Sequence, residues 1–156
     1  MFKFCKESTN GDCGMEITNF DKQFVERTSM IVQNQCTDGF EYNVTLLLNC
    51  LVGLVSLPTE RTKPGNTPFR ILCVEKLKSM GVVIASTNDE KTFRTIKNAL
   101  SHMYIEPQNK EGLISSVIIK DRKTRKAQAH TELRFTISQL KEFALFVANQ
   151  HLKRFS

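Results

Sequence analysis

The spacing of apolar residues predicts that helices dominate the chain. From Met15 onward apolar side chains recur at the interval typical of an amphipathic helix, and Gly39 marks the end of this first helix. Its apolar stripe consists of Ile17, Phe20, Phe24 and Ile31. Residues 1–14 are polar and contain Gly11 and Gly14, so we expect a loose lead-in before the folded part.

A second helix is predicted over residues 40–57, where apolar side chains occupy nearly every face. A helix that is apolar all round is normally central and surrounded by other helices. Gly53 would let a neighbouring element approach closely, and Pro58 is expected to end the helix because proline interrupts the backbone hydrogen-bond ladder. Residues 58–67 have the composition of a surface loop.

Two further helices follow. Thr67 and Pro68 predict the start of the third, which Gly81 terminates, and residues 82–85 are expected to form a short buried connector. The apolar stripe of the third helix is Phe69, Leu72, Cys73, Leu77 and Met80. A capping-box pattern, Thr87 with Glu90, predicts a fourth helix that runs to Met103 or Tyr104, before Pro107. Its core face is predicted to consist of Phe93, Ile96, Leu100 and Met103.

The pattern changes after Pro107. Residues 113–120 are rich in β-branched side chains, and residues 127–135 follow a polar, cationic turn, which predicts two strands in a hairpin. Thr136 and Gln139 form another capping box, and a last helix with an apolar face follows. That face contains Leu140, Phe143, Ala144 and Val147.

These elements predict a mainly α fold, a helical bundle of about five helices with a β-hairpin between the last two. We expect a single helical domain over residues 15–156, preceded by the lead-in at residues 1–14. The chain has 156 residues, of which 40% are hydrophobic and 24% charged, as is normal for a globular domain.

Charge and cysteine content narrow the functional classes. The net charge of +6 favours an anionic partner, although a merely basic domain would have the same composition. The five cysteines lack the paired spacing of a zinc site, so we expect neither a metal nor another cofactor. Residues 1–7 show no secretory leader and no apolar run is long enough for a bilayer, so we expect a cytoplasmic protein without membrane contact.

The polar face of the fourth helix carries the strongest candidate chemistry. Glu90, Arg94, Lys97, Asn98, Ser101 and His102 share this face. A cation can stabilise charge on phosphoryl oxygens, a histidine can move a proton near neutral pH, and an amide can orient a hydroxyl. The pattern therefore suits binding or hydrolysis of a phosphodiester, but an ordinary solvated face has the same residue types.

Other polar residues are weaker candidates. Lys120, Arg122, Lys123, Arg125 and Lys126 cluster at the hairpin turn. They could bind a nucleic-acid backbone, or they could simply keep the turn soluble and discourage edge pairing. His130 has the pattern of a surface histidine, and His151 that of a cation near a helix C-terminus. Cys36 precedes a turn and could be exposed, but no nucleophile motif surrounds it.

The sequence KNALSH at residues 97–102, on a helix that follows a central apolar one, resembles the HEPN family of small helical bundles. The signature of that family is an Arg, commonly followed by Asn, Asp or His, with a His four to six residues beyond the Arg. Asn98 and His102 match it in type and spacing. The hairpin and the closing helix resemble a HEPN subfamily with a hairpin insert, so that the resemblance covers roughly residues 17–155.

The resemblance implies a metal-independent endoribonuclease acting in a toxin–antitoxin, defence or RNA-processing context. It also implies a homodimer in which both motifs line one cleft, RNA as substrate and an antitoxin as a possible protein partner. His102 would be the general acid/base, Lys97 the phosphate cation and Asn98 an orienting group. Arg94, Ser101, Lys120, Arg122, Lys123 and Arg125 are the candidate RNA-binding residues.

One departure from the signature leaves an alternative open. Lys97 stands at the position of the family's Arg, and lysine offers a point charge instead of a planar fork for phosphate. The alternative is therefore a non-catalytic HEPN-like module that binds RNA or protein. A dimerising bundle without any role in nucleic-acid binding is a third reading of the same residues.

Overall fold

The computed structural model describes residues 20–36, 43–60, 67–84, 89–122, 126 and 131–155. The helices are α1 (Phe20–Asn34), α2 (Asn43–Glu60), α3 (Thr67–Ser79), α4 (Asp89–Ser101) and α5 (Ile137–Phe155). The strands are β1 (Val83–Ile84), β2 (Ile105–Lys110), β3 (Leu113–Asp121) and β4 (Thr131–Thr136). The predicted lead-in at residues 1–14, Thr87 of the fourth helix's capping box and residues 61–66 of the predicted surface loop lie outside the described residues.

The prediction of a mainly helical fold with about five helices is confirmed, but the sheet is larger than the predicted hairpin. Its four strands are antiparallel and lie in the order β1-β4-β3-β2. Helix α5 is the centre of the fold, since it packs against α1, α2 and α3 and also against β3 and β4. The apolar α2, predicted to be central, contacts α1, α4 and α5 and keeps Leu46, Leu48 and Val52 only partly buried.

Helix α1 packs on α2 through a close approach at a glycine. A side chain at Gly53 would meet the Phe24 ring at 2.7 Å, so the predicted role of this glycine is confirmed. The buried stripe of α1 differs from the predicted one by a rotation of about one residue, because the helix packs on both α2 and α5. Its buried residues are Val25, Thr28 and Val32, whereas Phe20 is 42% exposed.

The connection from α3 to the sheet corrects two predictions. Gly81, with a φ of 73°, ends the helix as predicted, and the Val82 N–H donates to the Leu77 carbonyl. The next residues are not a buried connector: they form the edge strand β1, and Val83 is 67% exposed. Within α3, Leu72 is also exposed, and Val74 takes the predicted core position in its place.

Strand β2 was not predicted, because its sequence (IEPQNK) is polar and contains a proline. Both features suit an edge strand, where Pro107 costs no hydrogen bond to a further strand. The β2–β3 turn has positive φ at Glu111 and Gly112, as a two-residue type I′ hairpin requires. Ser115 is the extra residue of a bulge in β3, and its hydroxyl donates to the Gln108 carbonyl.

The capping box at the start of α5 is confirmed and ties three elements together. The Thr136 N–H donates to Gln139 Oε1 at 2.9 Å, and the Gln139 N–H donates to Thr136 Oγ1 at 3.2 Å. The same glutamine donates from Nε2 to the Met80 carbonyl at 2.8 Å. One side chain therefore caps α5 and fixes the end of α3 beside it.

His151 and Pro58 were both misread, and the two errors have one cause. Helix α2 does not end at Pro58 but continues to Glu60. Pro58 has no N–H for the Leu54 carbonyl four residues earlier, and His151 Nε2 supplies the missing donor at 2.9 Å. His151 is accordingly a buried core residue and not a surface cation at the end of α5. Burial, above all, lowers the pKa of this imidazole to about 4, so it is neutral in the folded protein.

This buried imidazole predicts a loss of stability in mild acid. Below pH 6.5 the unfolded chain protonates His151 while the folded chain does not, until the pH approaches about 4. The contribution of His151 to the free energy of unfolding is therefore complete above pH 6.5. It decreases as the pH falls, by roughly 2 kcal/mol at pH 5 on the linkage relation.

Denaturant unfolding at pH 7.5 and pH 5 measures the effect. His151→Gln keeps an amide donor for the Leu54 carbonyl but cannot titrate, so its free energy of unfolding should fall less between the two pH values. His102→Gln, at an exposed histidine, is the control and should behave like the parent protein. Equal pH dependence in all three proteins would remove His151 as the cause.

Candidate functional site

Helix α4 separates buried from solvent-facing side chains. Its buried residues are Thr92, Phe93, Thr95, Ile96, Ala99 and Leu100. Arg94 is exposed on the other side, and Lys97 and Asn98 are partly exposed one turn later. The side chain of Glu90 lies outside the described residues. The rest of the predicted polar face thus borders solvent.

The end of α4 is a tight reversal built around a left-handed residue. The Tyr104 N–H donates to the Ala99 carbonyl at 2.8 Å and the Met103 N–H to the Leu100 carbonyl at 3.1 Å, which is the Schellman pattern. Met103 has a φ of 53°, a conformation that glycine normally occupies. Met103 was predicted to face the core, but it is 56% exposed because the chain turns away from the helix at this residue.

This reversal places His102 at the rim of the fold. His102 is the last residue before the left-handed turn, and its side chain is exposed. Its ring stacks on that of Tyr104, with the ring centroids 5.6 Å apart and an interplanar angle of 28°. Ser101, just before it, lies with its hydroxyl 3.3 Å from that of Ser56, which joins the end of α4 to α2.

Beyond Tyr104 the chain enters β2, where a set of charged residues continues the site. We call Tyr104, Glu106, Lys120 and Arg122 the strand cluster. Lys120 Nζ lies 2.6 Å from Glu106 Oε2, and Arg122 Nη2 lies 3.1 Å from Glu106 Oε1. The Arg122 guanidinium also lies over the Tyr104 ring, 5.7 Å from its centroid. The strand cluster therefore connects two predicted RNA-binding cations to the ring that supports His102.

Glu106 is the anionic centre of the strand cluster. The hydrogen bond from Lys120, followed by the contacts with Arg122, holds the pKa of this carboxyl below its ordinary value. Glu106 is thus ionised at neutral pH and pairs with both cations. The cationic turn is therefore less positive at Lys120 and Arg122 than its sequence indicates.

The remaining candidates do not join this site. Lys126 is exposed, whereas Lys123, Arg125 and His130 lie outside the described residues. Cys36 is buried and not exposed, and its burial raises the pKa of the thiol. Burial also raises the pKa of Cys50 to about 11 and that of Cys73 to about 12, so neither is a nucleophile at neutral pH. Over the described ranges, no group of three or more His, Cys, Asp or Glu residues is placed to hold a metal ion.

Two members of the site were missed from the sequence. Glu106 follows Ile105 in β2 and projects to the face opposite the core, while Tyr104, just before the strand, is partly buried against the core. The signal for β2 was masked by its polar composition, and without that strand the pairing of Tyr104 and Glu106 with the end of β3 could not be inferred.

Comparison with protein families gives a match over nearly the whole chain. The model of the family described as HEPN pEK499 p136 matches residues 7–155. The chain belongs to this HEPN family. The resemblance inferred from residues 97–102 is therefore confirmed, and the HEPN family is associated with ribonuclease activity. Comparisons with curated proteins and with solved structures gave no match.

The residues that resemble the HEPN motif lie on the last turn of α4 and on the reversal after it. His102 is exposed and supported by an aromatic ring, while Lys97 and Asn98 lie on the preceding turn. Such an arrangement offers a proton-transfer group, cations and an amide to one bound phosphodiester. No described helix combines the length and the apolar character needed to cross a membrane.

The strained conformation of Met103 predicts a stabilising substitution. Met103→Gly should raise the free energy of unfolding by about 0.5–1 kcal/mol, because glycine adopts a positive φ without the steric cost that other residues incur. Met103→Val should instead destabilise the protein, since a β-branched residue tolerates this conformation poorly.

Chemical denaturation of the variants tests this expectation. Met30→Gly is the matched control, because Met30 is 51% exposed but lies inside α1, where glycine should cost about 1 kcal/mol. Opposite signs for the two glycine substitutions are expected. A loss of stability in Met103→Gly as large as that in Met30→Gly would show that the reversal carries no such strain.

Proposed function

We propose that this HEPN protein is a metal-independent endoribonuclease whose catalytic residues are His102, Lys97 and Asn98. The observation that carries the proposal is the exposed imidazole of His102 at the end of α4, stacked on Tyr104 within a matched HEPN domain. Stacking restricts the imidazole to few orientations, which favours proton transfer in a fixed geometry.

The reaction proposed is an internal transfer within RNA. The ribose 2′-oxygen forms a bond to the adjacent phosphorus while the bond from phosphorus to the 5′-oxygen breaks. A base removes the proton of the 2′-hydroxyl and an acid protonates the departing 5′-oxygen, which leaves a cyclic phosphate and a 5′-hydroxyl. His102 acts in proton transfer, Lys97 balances charge on the phosphoryl oxygens and Asn98 orients a ribose hydroxyl or a phosphate oxygen.

Two proton-transfer steps favour two imidazoles at one phosphodiester. We propose a homodimer in which the His102 residues of two copies line one cleft, as in similar HEPN nucleases. In this arrangement Arg94 and Ser101, on the solvent side of α4, and Lys120 and Arg122, in the strand cluster, contact the RNA backbone near the cleft. Lys123 and Arg125 would add contacts from the turn.

The biological setting proposed is that of the nuclease members of the family: a toxin–antitoxin pair, antiviral defence or RNA processing in the cytoplasm. In the first of these an antitoxin protein would be the partner that restrains the nuclease. A gene for an antitoxin beside the gene for this chain would favour the first setting over the others.

A second function is favoured by one residue. Lys97 replaces the signature Arg, and a lysine at this position removes the bidentate phosphate contact. A HEPN domain that binds RNA or a partner protein without cleaving it would retain the cations of α4 and of the strand cluster. The same experiment distinguishes this function from the nuclease.

The nuclease proposal predicts that RNA is cleaved in the presence of EDTA and that His102→Ala slows cleavage by about 100-fold or more, the usual contribution of a general acid or base. Lys97→Met should slow it as well, because the charge on the phosphate is then less well balanced. The 5′-hydroxyl and cyclic phosphate ends of the products can be identified by labelling and mass spectrometry.

Two surface substitutions away from the site are controls. Asn149→Ala on α5 and Lys78→Met on α3 alter exposed side chains and should leave the cleavage rate unchanged. Cleavage that persists undiminished in His102→Ala would contradict the assignment of the general acid/base. RNA binding without any product from the parent protein would favour the binding module instead.

A further inference from the structure

The HEPN motif of this chain lacks its guanidinium, yet the structure holds another one close to His102. We propose that Arg122, from the end of β3, takes the part of the missing motif arginine and contacts the scissile phosphate as a planar fork. Glu106 and Tyr104 are the positioning residues for this guanidinium. The inference rests on the proposed ribonuclease function and names a catalytic residue for it outside the motif.

The first support is distance. The Tyr104 ring lies 5.6 Å from the His102 ring and 5.7 Å from Arg122 Cζ, so His102 and Arg122 are separated by no more than these two distances together. His102 and Arg122 are thus neighbours through one shared ring, as the proposed contact of both with one phosphodiester requires.

The second support is the way Arg122 is held. Glu106 Oε1 accepts from Nη2 at 3.1 Å, and the Tyr104 ring supports the guanidinium. The Arg122 side chain is only 20% exposed, so few of its rotamers are available. An arginine fixed in this way loses little conformational entropy when it binds an anion.

The third support is the anchoring of the backbone at Arg122 to α4. Asp121, the preceding residue, accepts a hydrogen bond from Thr95 Oγ1 of α4 at 3.3 Å, and the Lys120 N–H donates to the Tyr104 carbonyl at 2.9 Å. The end of β3 is therefore tied both to the helix that carries Lys97 and Asn98 and to the reversal that carries His102. The guanidinium is fixed relative to the motif and not merely near it.

The two cations, Lys97 and Arg122, differ in how they can contact a phosphate. Lys97 provides a compact point charge, whereas the guanidinium of Arg122 can donate two parallel hydrogen bonds to phosphoryl oxygens. Lys97 and Arg122 together would restore both the charge and the fork that the family signature supplies with one residue. The alternative is that Arg122 only stabilises β2 and β3 through its ion pair.

The test compares RNA cleavage rates of Arg122→Gln, Arg122→Lys and a matched control, Arg134→Gln. Arg134 lies on the same sheet face and is ion-paired with Glu132 at 3.0 Å, but among the described residues it makes no direct contact with Tyr104. We expect kcat to fall by about 100-fold in Arg122→Gln, as when one donor to a developing oxyanion is removed, while Arg134→Gln stays close to the parent protein. Arg122→Lys retains the charge but should still lose about tenfold in kcat.

A rescue experiment separates a catalytic role from a structural one. Lys97→Arg returns a guanidinium to the motif, so the double variant Lys97→Arg with Arg122→Gln should recover about tenfold over Arg122→Gln alone. A purely structural role for Arg122 would lower the melting temperature of Arg122→Gln and would not respond to Lys97→Arg. If Arg122→Gln fails to fold, the Arg122→Lys comparison, with the charge and the contact to Glu106 kept, decides between the two roles.

The outcomes distinguish the inference from the function on which it rests. If the parent protein cleaves RNA and Arg122→Gln or Arg122→Lys, correctly folded, cleaves as fast as Arg134→Gln, the role of Arg122 is overturned while the nuclease stands. If the parent protein cleaves no RNA, the proposed function itself fails and the inference fails with it. A selective loss in the Arg122 variants with rescue by Lys97→Arg supports both.

Discussion

The arrangement of the site depends on one backbone constraint, the left-handed residue at the end of α4. Met103 reverses the chain within a single residue, so that helix and edge strand meet at a sharp corner. His102 is therefore left at the rim, and Tyr104 lies directly before β2, where its ring contacts both His102 and Arg122. A longer connection would separate the imidazole from the strand cluster, and the stacking between His102 and Tyr104 would be lost. The corner thus joins a helical motif to a set of charges on strands.

The sequence predicted the helices well because apolar periodicity is a local property. The sequence-based predictions were wrong where the role of a residue depends on a contact with a residue distant in the chain. Pro58 alone indicates a helix end, and His151 alone indicates a surface cation. In the folded chain the His151 imidazole donates to the Leu54 carbonyl the hydrogen bond that Pro58 cannot donate. Neither residue contains that information by itself. Strand β2 was missed for a related reason, since a polar segment with a proline becomes a strand only through pairing with β3.

The candidate site likewise contains residues that the sequence could identify and residues that only the fold could identify. Asn98 and His102 could be identified from spacing within one helix and from the family signature, because both depend on neighbours along the chain. The strand cluster could not, because it requires the register in which Ile105 pairs with Ile119. That register sets Tyr104 beside Lys120 and brings Glu106 to Lys120 in β3 and to Arg122 just after it. The cations at the turn were recognised from composition, but their pairing with a carboxylate, and their connection to His102, follow only from the sheet.

The positive charge of the chain is a weaker guide to RNA binding than it first suggests. On the outer face of the sheet, Lys120 lies 2.6 Å from Glu106 and 4.0 Å from Glu132, and Glu132 also pairs with Arg134 at 3.0 Å. Ile118, between Glu106 and Arg134 on the neighbouring strands, is buried although it lies outside the main core, so these charged side chains also have a structural role. An RNA phosphate approaching this face therefore meets a nearly balanced set of charges. Its recognition would depend less on the net charge of +6 than on the few cations whose geometry fits a phosphate beside His102.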